Sequence, residues 1–140
     1  MLAYTLAMAK YLGIDYGTKR VGVAMSDVSG RMAFPRETIA NDRALVPRLI
    51  DLIRDESVSF VVIGDSKNKD GKDNAVMQEA RRFADALENA LAVTVYFEPE
   101  YYSSVEARRL SEEAGDSSGA PVDAKAAAII LNRYLERSHS

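Results

Sequence analysis

Two apolar runs, Tyr11-Leu12-Gly13-Ile14 and Val21-Gly22-Val23-Ala24-Met25, stand a few residues apart near the start of the chain. The first is short and nearly continuous, as expected of a strand buried on both faces. The second has the β-branched content of a strand. Tyr16-Gly17-Thr18-Lys19 between them has the residue types of a tight turn. A turn this short forces the two strands into an antiparallel hairpin. The chain must therefore build a sheet, with Asp15 at the end of its first strand.

The remaining pattern alternates as in an α/β domain. Ser29-Gly30 marks a second turn, and Phe34 to Ile39 reads as a third strand. Pro35 makes that strand an edge or an irregular one. Asn41 or Asp42 is a candidate cap for a helix carrying Leu45, Leu49, Ile50 and Ile53 at helical spacing. Pro47 is compatible with that helix only in its first turn. Ser59 to Ile63 is another buried strand, followed by a polar loop from Asp65 to Asn74. Val76, Ala80, Phe83, Leu87 and Leu91 mark one helical face, and Val93, Val95 and Phe97 alternate as a strand. Ser103-x-x-Glu106 has the form of a capping box opening a short helix. A Gly/Ser loop covers 115–120, and Pro121 or Val122 opens a last helix to about Leu135. The expected fold is a mixed five-stranded sheet, three antiparallel strands and then two parallel to the first, with helices on its faces. Residues 8–138 read as one domain. Residues 1–7 read as an N-terminal extension, disordered or not native to the domain.

The 140 residues contain no cysteine, which removes thiolate metal sites and cysteine nucleophiles. The single histidine, His139, is the second-last residue, a poor place for a triad or a metal ligand. Carboxylates must then carry any catalysis, with a hard cation such as Mg2+ or Mn2+. The net charge of −3 counts mildly against a nucleic-acid binder. Acidic metal ligands can nonetheless lower the total while basic loops meet phosphate. No apolar run reaches membrane-spanning length, and the opening MLAYTLAM lacks a basic segment and a cleavage site. The expectation is a cytoplasmic protein.

Three acids stand out. Asp15 ends a buried strand at the carboxyl edge, where α/β sheets bind ligands. An Asp before a glycine turn is also a common turn-former. Glu100 follows the strand Val93–Phe97 and, if that strand is parallel to the first, lies at the same edge. Glu98 competes with it for the role. Asp123 shares a helical face with Ala127, Ile130 and Tyr134, at the sheet-facing end of the apolar stripe. Its alternative role is a first-turn acid complementing the helix dipole. Converging acids repel unless a cation intervenes, and two divalent ions are a common solution in phosphodiester hydrolysis. Lys67, Lys69 and Lys72, with Lys19, Arg20 and Arg36, are candidates for phosphate contact. Tyr101 and Tyr102 could stack on bases or pack on helices.

Gly13-Ile14-Asp15-Tyr16-Gly17-Thr18-Lys19-Arg20-Val21-Gly22-Val23-Ala24, with Ser26-Asp27, closely resembles the opening motif of the YqgF (RuvX) family. Val122-Asp123-Ala124, with Ala126-Ala127 and Ile129-Ile130-Leu131, resembles its closing helix motif. The similarity runs from about Met8 to Leu135. These bacterial proteins are named as Holliday junction resolvases and as pre-16S rRNA nucleases. The resemblance implies a ribonuclease-H-like fold and an acidic triad, carried here by Asp15, Glu100 and Asp123 as catalytic and metal-binding residues. Two segments depart from the family. Where it reads Asp-Glu-Arg-Leu-Thr-Thr, this chain has Pro99-Glu100-Tyr101-Tyr102-Ser103-Ser104, so the glutamate stays while the preceding Asp and following Arg are lost. Glu98 is a candidate replacement for that Asp. Where the family has Gly-Leu-Pro, this chain has Gly64-Asp65-Ser66, making Asp65 a further candidate ligand. Asn68, Asp70 and Gly71 still match, which adds Asn68 to the nucleic-acid contacts.

The function implied is a metal-dependent nuclease acting in 5′-end processing of precursor 16S rRNA, with two Mg2+ or Mn2+ ions. A junction resolvase on branched DNA is the alternative, and it would need a two-fold dimer rather than a monomer. The altered Glu100 segment also leaves open a nucleic-acid-binding protein without activity. Asp15-Tyr16-Gly17-Thr18 fits the phosphate loop of actin- and Hsp70-like ATP-binding proteins too. Those need two such domains to clamp a nucleotide, and 140 residues supply one.

Overall fold

A computed structural model of the chain describes residues 9–66, 72, 74–99 and 121–138. The hairpin is present as β1 (Lys10–Tyr16) and β2 (Arg20–Ser26), paired antiparallel with Tyr16 opposite Val21. Then follow β3 (Ala33–Ala40), α1 (Leu45–Asp55), β4 (Val58–Asp65), α2 (Ala75–Ala90), β5 (Thr94–Pro99) and α3 (Val122–Ser138). The sheet order is β3-β2-β1-β4-β5. β2 and β3 are antiparallel, while β4 and β5 run parallel to β1. This is the sheet expected from the sequence. The short helix expected at Ser103 and the extension 1–7 lie outside the described residues.

Strand alternation sorts the side chains onto two faces. Leu12, Ile14, Val21, Val23, Val61 and Ile63 pack with Leu45, Leu49 and Ile53 of α1 and with Phe83, Ala84 and Leu87 of α2. The alternate residues face α3, where Val62 meets Ile130, Leu131 and Leu135, and Ala24 meets Ala127 and Ala128. Each fully buried Leu or Ile contributes about 1.5–3 kcal/mol, so both faces are firmly held.

Local details follow from residue type. Pro35 sits on the outer strand, opposite Ala24, and the β2–β3 register shifts between Val23 and Ala24. An edge strand tolerates both the missing N–H and the bulge. Pro47 is the third residue of α1, where its missing N–H is not needed. Neither Asn41 nor Asp42 is the cap, because α1 opens after Ala44 with no side-chain cap hydrogen bond. Asp42 Oδ1 accepts from the Ala44 N–H at 2.8 Å, just ahead of the helix, and Asn41 Nδ2 donates to the Gly17 carbonyl at 2.7 Å. The Asn41 side chain is thus spent on the β1–β2 turn. Asn74 caps α2, accepting from the Met77 N–H at 2.8 Å. Met77, rather than Val76, enters the core on that helix.

The β2–β3 turn is organised by Asp27, which accepts from the Arg31 N–H at 2.9 Å and from the Ser29 hydroxyl at 2.8 Å. These bonds hold its carboxyl below the usual aspartate range. Ser26 accepts from the Tyr11 N–H at 2.8 Å. The Ser26-Asp27 pair of the opening motif therefore shapes a turn away from Asp15.

Helix α3 lies against backbone. A Cβ placed on Gly22 would fall 1.9 Å from the Asp123 carbonyl oxygen. One on Gly13 would fall 2.8 Å from Leu131 Cβ and 2.9 Å from the Ala127 carbonyl oxygen. No flexible side chain can yield at Gly22, so α3 itself would have to move. Gly22→Ala is expected to destabilise the fold by on the order of 1–3 kcal/mol, read as a lower urea midpoint. An unchanged midpoint would contradict this packing.

Candidate functional site

The fold brings the backbone of Asp123 onto Gly22, the ladder partner of Asp15. Asp15 is half-buried near the end of β1 and is paired in register with Gly22. It alternates with Ile14, so it belongs to the α3 face of the sheet, with Gly13. Asp123 lies in the first turn of α3, with its backbone against Gly22. The buried Ala124, Ala126, Ala127 and Ala128 keep that helix close to the hairpin. Its Oδ2 accepts from Arg20 Nε at 3.0 Å. Arg20 begins β2 two residues before Gly22 and so shares its face.

The turn beside these acids is braced from the other face. Tyr16 donates to Glu79 Oε2 at 2.6 Å, and Asn41 Nδ2 lies 3.4 Å from the same oxygen. Burial, and then the bond to Glu79, push the Tyr16 phenol above its usual pKa. The Asn41 N–H donates to the Lys19 carbonyl at 2.9 Å. The contacts that make Tyr16, Asn41 and Glu79 shape this turn are long-range and leave little trace in the sequence. Only Tyr16 had a signal there, its place inside the opening motif. The braced turn forms a shallow depression of about 250 Å3 lined by Gly17, Thr18, Lys19, Arg20 and Asp123.

The other candidates are distributed differently. Asp65 ends β4 on the α2 face, where its Oδ2 accepts from Arg81 Nη2 at 3.1 Å. It is therefore across the sheet from Asp15 and Asp123. Glu98 pairs with Gly64, one residue past the Ile14–Ile63 pair of β1 and β4, and is only 5% exposed. Its carboxylate pairs with Arg137, at the opposite end of α3 from Asp123. Arg36 pairs with Glu37 and Glu56, and Glu56 follows α1 beside Lys10 at the start of β1, away from the Asp15 edge. Lys72 is exposed. Glu100, Lys67, Asn68, Lys69, Tyr101 and Tyr102 lie outside the described residues. Among the described residues no group of three acidic or histidine side chains is assembled for a metal ion. No helix among them is long and apolar enough to cross a membrane.

A family model described as RuvX, Holliday junction resolvase, matches residues 9–137. A protein of Nitratidesulfovibrio vulgaris (strain Miyazaki F), named "Putative pre-16S rRNA nuclease", is 40% identical, over 94% of this chain and 96% of its own length. A relative of the same name from Oleidesulfovibrio alaskensis is 38% identical, over 90% and 91%. Among solved structures, Thermus thermophilus RuvC in complex with a Holliday junction substrate matches with a TM-score of 0.62. It is 16% identical, with 94% of this chain and 96% of that chain covered. The fowlpox virus resolvase in complex with Holliday junction DNA matches at 0.60 with 10% identity, over 94% and 99%. At these identities the likeness concerns the fold, which is ribonuclease-H-like, as expected.

The Glu98–Arg137 pair has a testable consequence. Burial raises the Glu98 carboxyl pKa, and Arg137, then Arg133, pull it back down. Arg137→Ala leaves an ionised buried carboxylate with less compensation. The expected loss is about 1–2 kcal/mol at neutral pH, below that of a fully buried pair because the Arg137 side chain is 58% exposed. Arg137 attracts only the ionised carboxyl, which gives the sign of the pH dependence, and the raised pKa moves the change to higher pH than for an ordinary glutamate. The loss should shrink as pH falls through the Glu98 pKa, since the protonated carboxyl no longer needs the guanidinium. A pH-independent loss in urea denaturation would contradict this account.

Proposed function

The chain belongs to the RuvX family, and from that premise we propose that it is a divalent-metal-dependent nuclease that trims the 5′ side of precursor 16S rRNA in the cytoplasm. The observation that carries this reading is that the Asp123 backbone packs on Gly22, the ladder partner of Asp15. The relatives' name supports the RNA substrate.

The residues present suit a hard cation. The donor set is all oxygen, and the absence of a side chain at Gly22 lets the Asp123 backbone pack directly on the ladder partner of Asp15. Asp15 and Asp123 would hold the metal, Mg2+ or Mn2+, with Glu100 as the third acid beyond the end of β5. Divalent ions held there would supply an activated water and neutralise the leaving 3′ oxygen. The protein's own groups do the rest. Asp15 is fixed by the ladder of a central strand, and Asp123 by a helix packed on backbone. Thr18, Lys19 and Arg20 present a hydroxyl and two cations to a phosphate beside them. Lys67, Asn68, Lys69 and Lys72 are the further candidates for contact with the nucleic acid.

A second reading, cleavage of branched DNA, draws on the family's description as Holliday junction resolvases. It requires a two-fold dimer, so that both strands are cut symmetrically.

The decisive comparison sets a 5′-extended 16S precursor against a four-way DNA junction, with wild type and Asp15→Asn, in Mg2+ and in Mn2+. Wild type is expected to cut the precursor. Asp15→Asn should lose more than about a hundredfold of that activity, since even groups behind the ligands of metal sites matter by ten- to a hundredfold. Its thermal unfolding should stay close to wild type. Equal cleavage by the variant would remove Asp15 from the site. Preference for the junction would select the resolvase reading, and binding without cleavage by wild type would leave a binding protein.

A further inference from the structure

We propose that Arg20 is an exchangeable partner: it neutralises Asp123 when no divalent cation is bound, and passes to a substrate phosphate when a cation takes its place. This rests on the metal-site reading above and adds a coupling between cation and phosphate binding.

The geometry supports an exchange. The contact engages Arg20 Nε and one oxygen, Asp123 Oδ2, at 3.0 Å. A guanidinium carries further donors on Nη1 and Nη2. The Arg20 side chain is 68% exposed, and an ion pair that open adds little to folding. The fold therefore does not need the pair, and a competitor can displace it at small cost. The Asp123 backbone packs on Gly22, the ladder partner of Asp15, and the Arg20 guanidinium on its carboxylate lowers the negative charge there.

The place where Arg20 would go is already formed. Arg20 and Asp123 line the same depression as Gly17, Thr18 and Lys19. Thr18 and Lys19 are exposed in it. A hydroxyl, an ammonium and a guanidinium are the groups that bind phosphate oxygens. Asp15 and Asp123 would hold the cation, and the Asp123 carboxylate would then be shared no longer with the guanidinium. The nearest replacement anion is then a phosphate of the bound nucleic acid. Such a linkage is reciprocal: the cation strengthens phosphate binding and phosphate strengthens cation binding.

The test reads binding, not turnover. Mn2+ is titrated into wild type, Arg20→Ala, Lys19→Ala and Asp15→Asn, with free Mn2+ followed by electron paramagnetic resonance. Arg20→Ala should bind Mn2+ about two- to fivefold more tightly, the range over which exposed ion pairs act. Lys19→Ala removes an equal charge from the same depression without touching Asp123, so it should change Mn2+ affinity far less. A labelled single-stranded RNA is then bound by each protein with and without Ca2+, read by fluorescence anisotropy. The gain in RNA affinity on adding Ca2+ should shrink in Arg20→Ala and persist in Lys19→Ala. Unchanged or weaker Mn2+ binding in Arg20→Ala overturns the exchange, as does equal tightening in Lys19→Ala or an undiminished Ca2+ gain in Arg20→Ala. Mn2+ binding by wild type that Asp15→Asn does not weaken would overturn the metal site itself, and the exchange with it.

Discussion

Helix α3 rests on the backbone of the β1–β2 hairpin, and the site depends on that contact. At Gly22 the helix comes so close that its Asp123 carbonyl occupies the space of a missing Cβ. Gly13 does the same further along, under Ala127 and Leu131. Close-packed interiors admit no side chain at such points. Because Asp15 is the ladder partner of Gly22, the contact that seats the helix also sets Asp123 beside Asp15. Packing of the helix and assembly of the proposed site are thus one event.

The sheet then sorts its other acids by the pleat. Asp65 follows Gly64 on β4 and turns to the α2 face, where Arg81 meets it. Glu98 stays on the α3 face, but Arg137 engages it at the far end of the helix. Neighbouring cations hold these two carboxylates, whereas the Asp123 carboxylate has an exposed and easily displaced one. Burial and charge thus separate acids that look alike as residue types, and the separation follows from side-chain alternation along a strand.

Much of the fold was legible because its signals are local. Short apolar runs around a Gly turn gave the hairpin, Pro35 marked an edge strand, and Pro47 placed itself in a first helical turn. Asp15 and Asp123 were legible for the same reason, one ending a strand and one opening a periodic helix. Long-range choices were not legible. Asn41 has the residue type of a cap, but its amide serves the Gly17 carbonyl 24 residues earlier in the chain. Glu79 reads as an exposed helical acid, yet it accepts from Tyr16. Asp65 and Glu98 were candidates by proximity in sequence, and their pairing with Arg81 and Arg137 depends on which helix lies over each face.

The sequence by itself determined the order of elements, the strand pairing of the hairpin, and the family, because apolar periodicity, turn chemistry and a long motif are written along neighbouring residues. Only the tertiary structure decided which carboxylates share a face, why Gly22 and Gly13 must be glycine, and that Arg20 sits on Asp123. Those facts depend on α3 crossing back over a hairpin about a hundred residues earlier in the chain, and on the van der Waals and Coulomb terms that act only once the two are in contact.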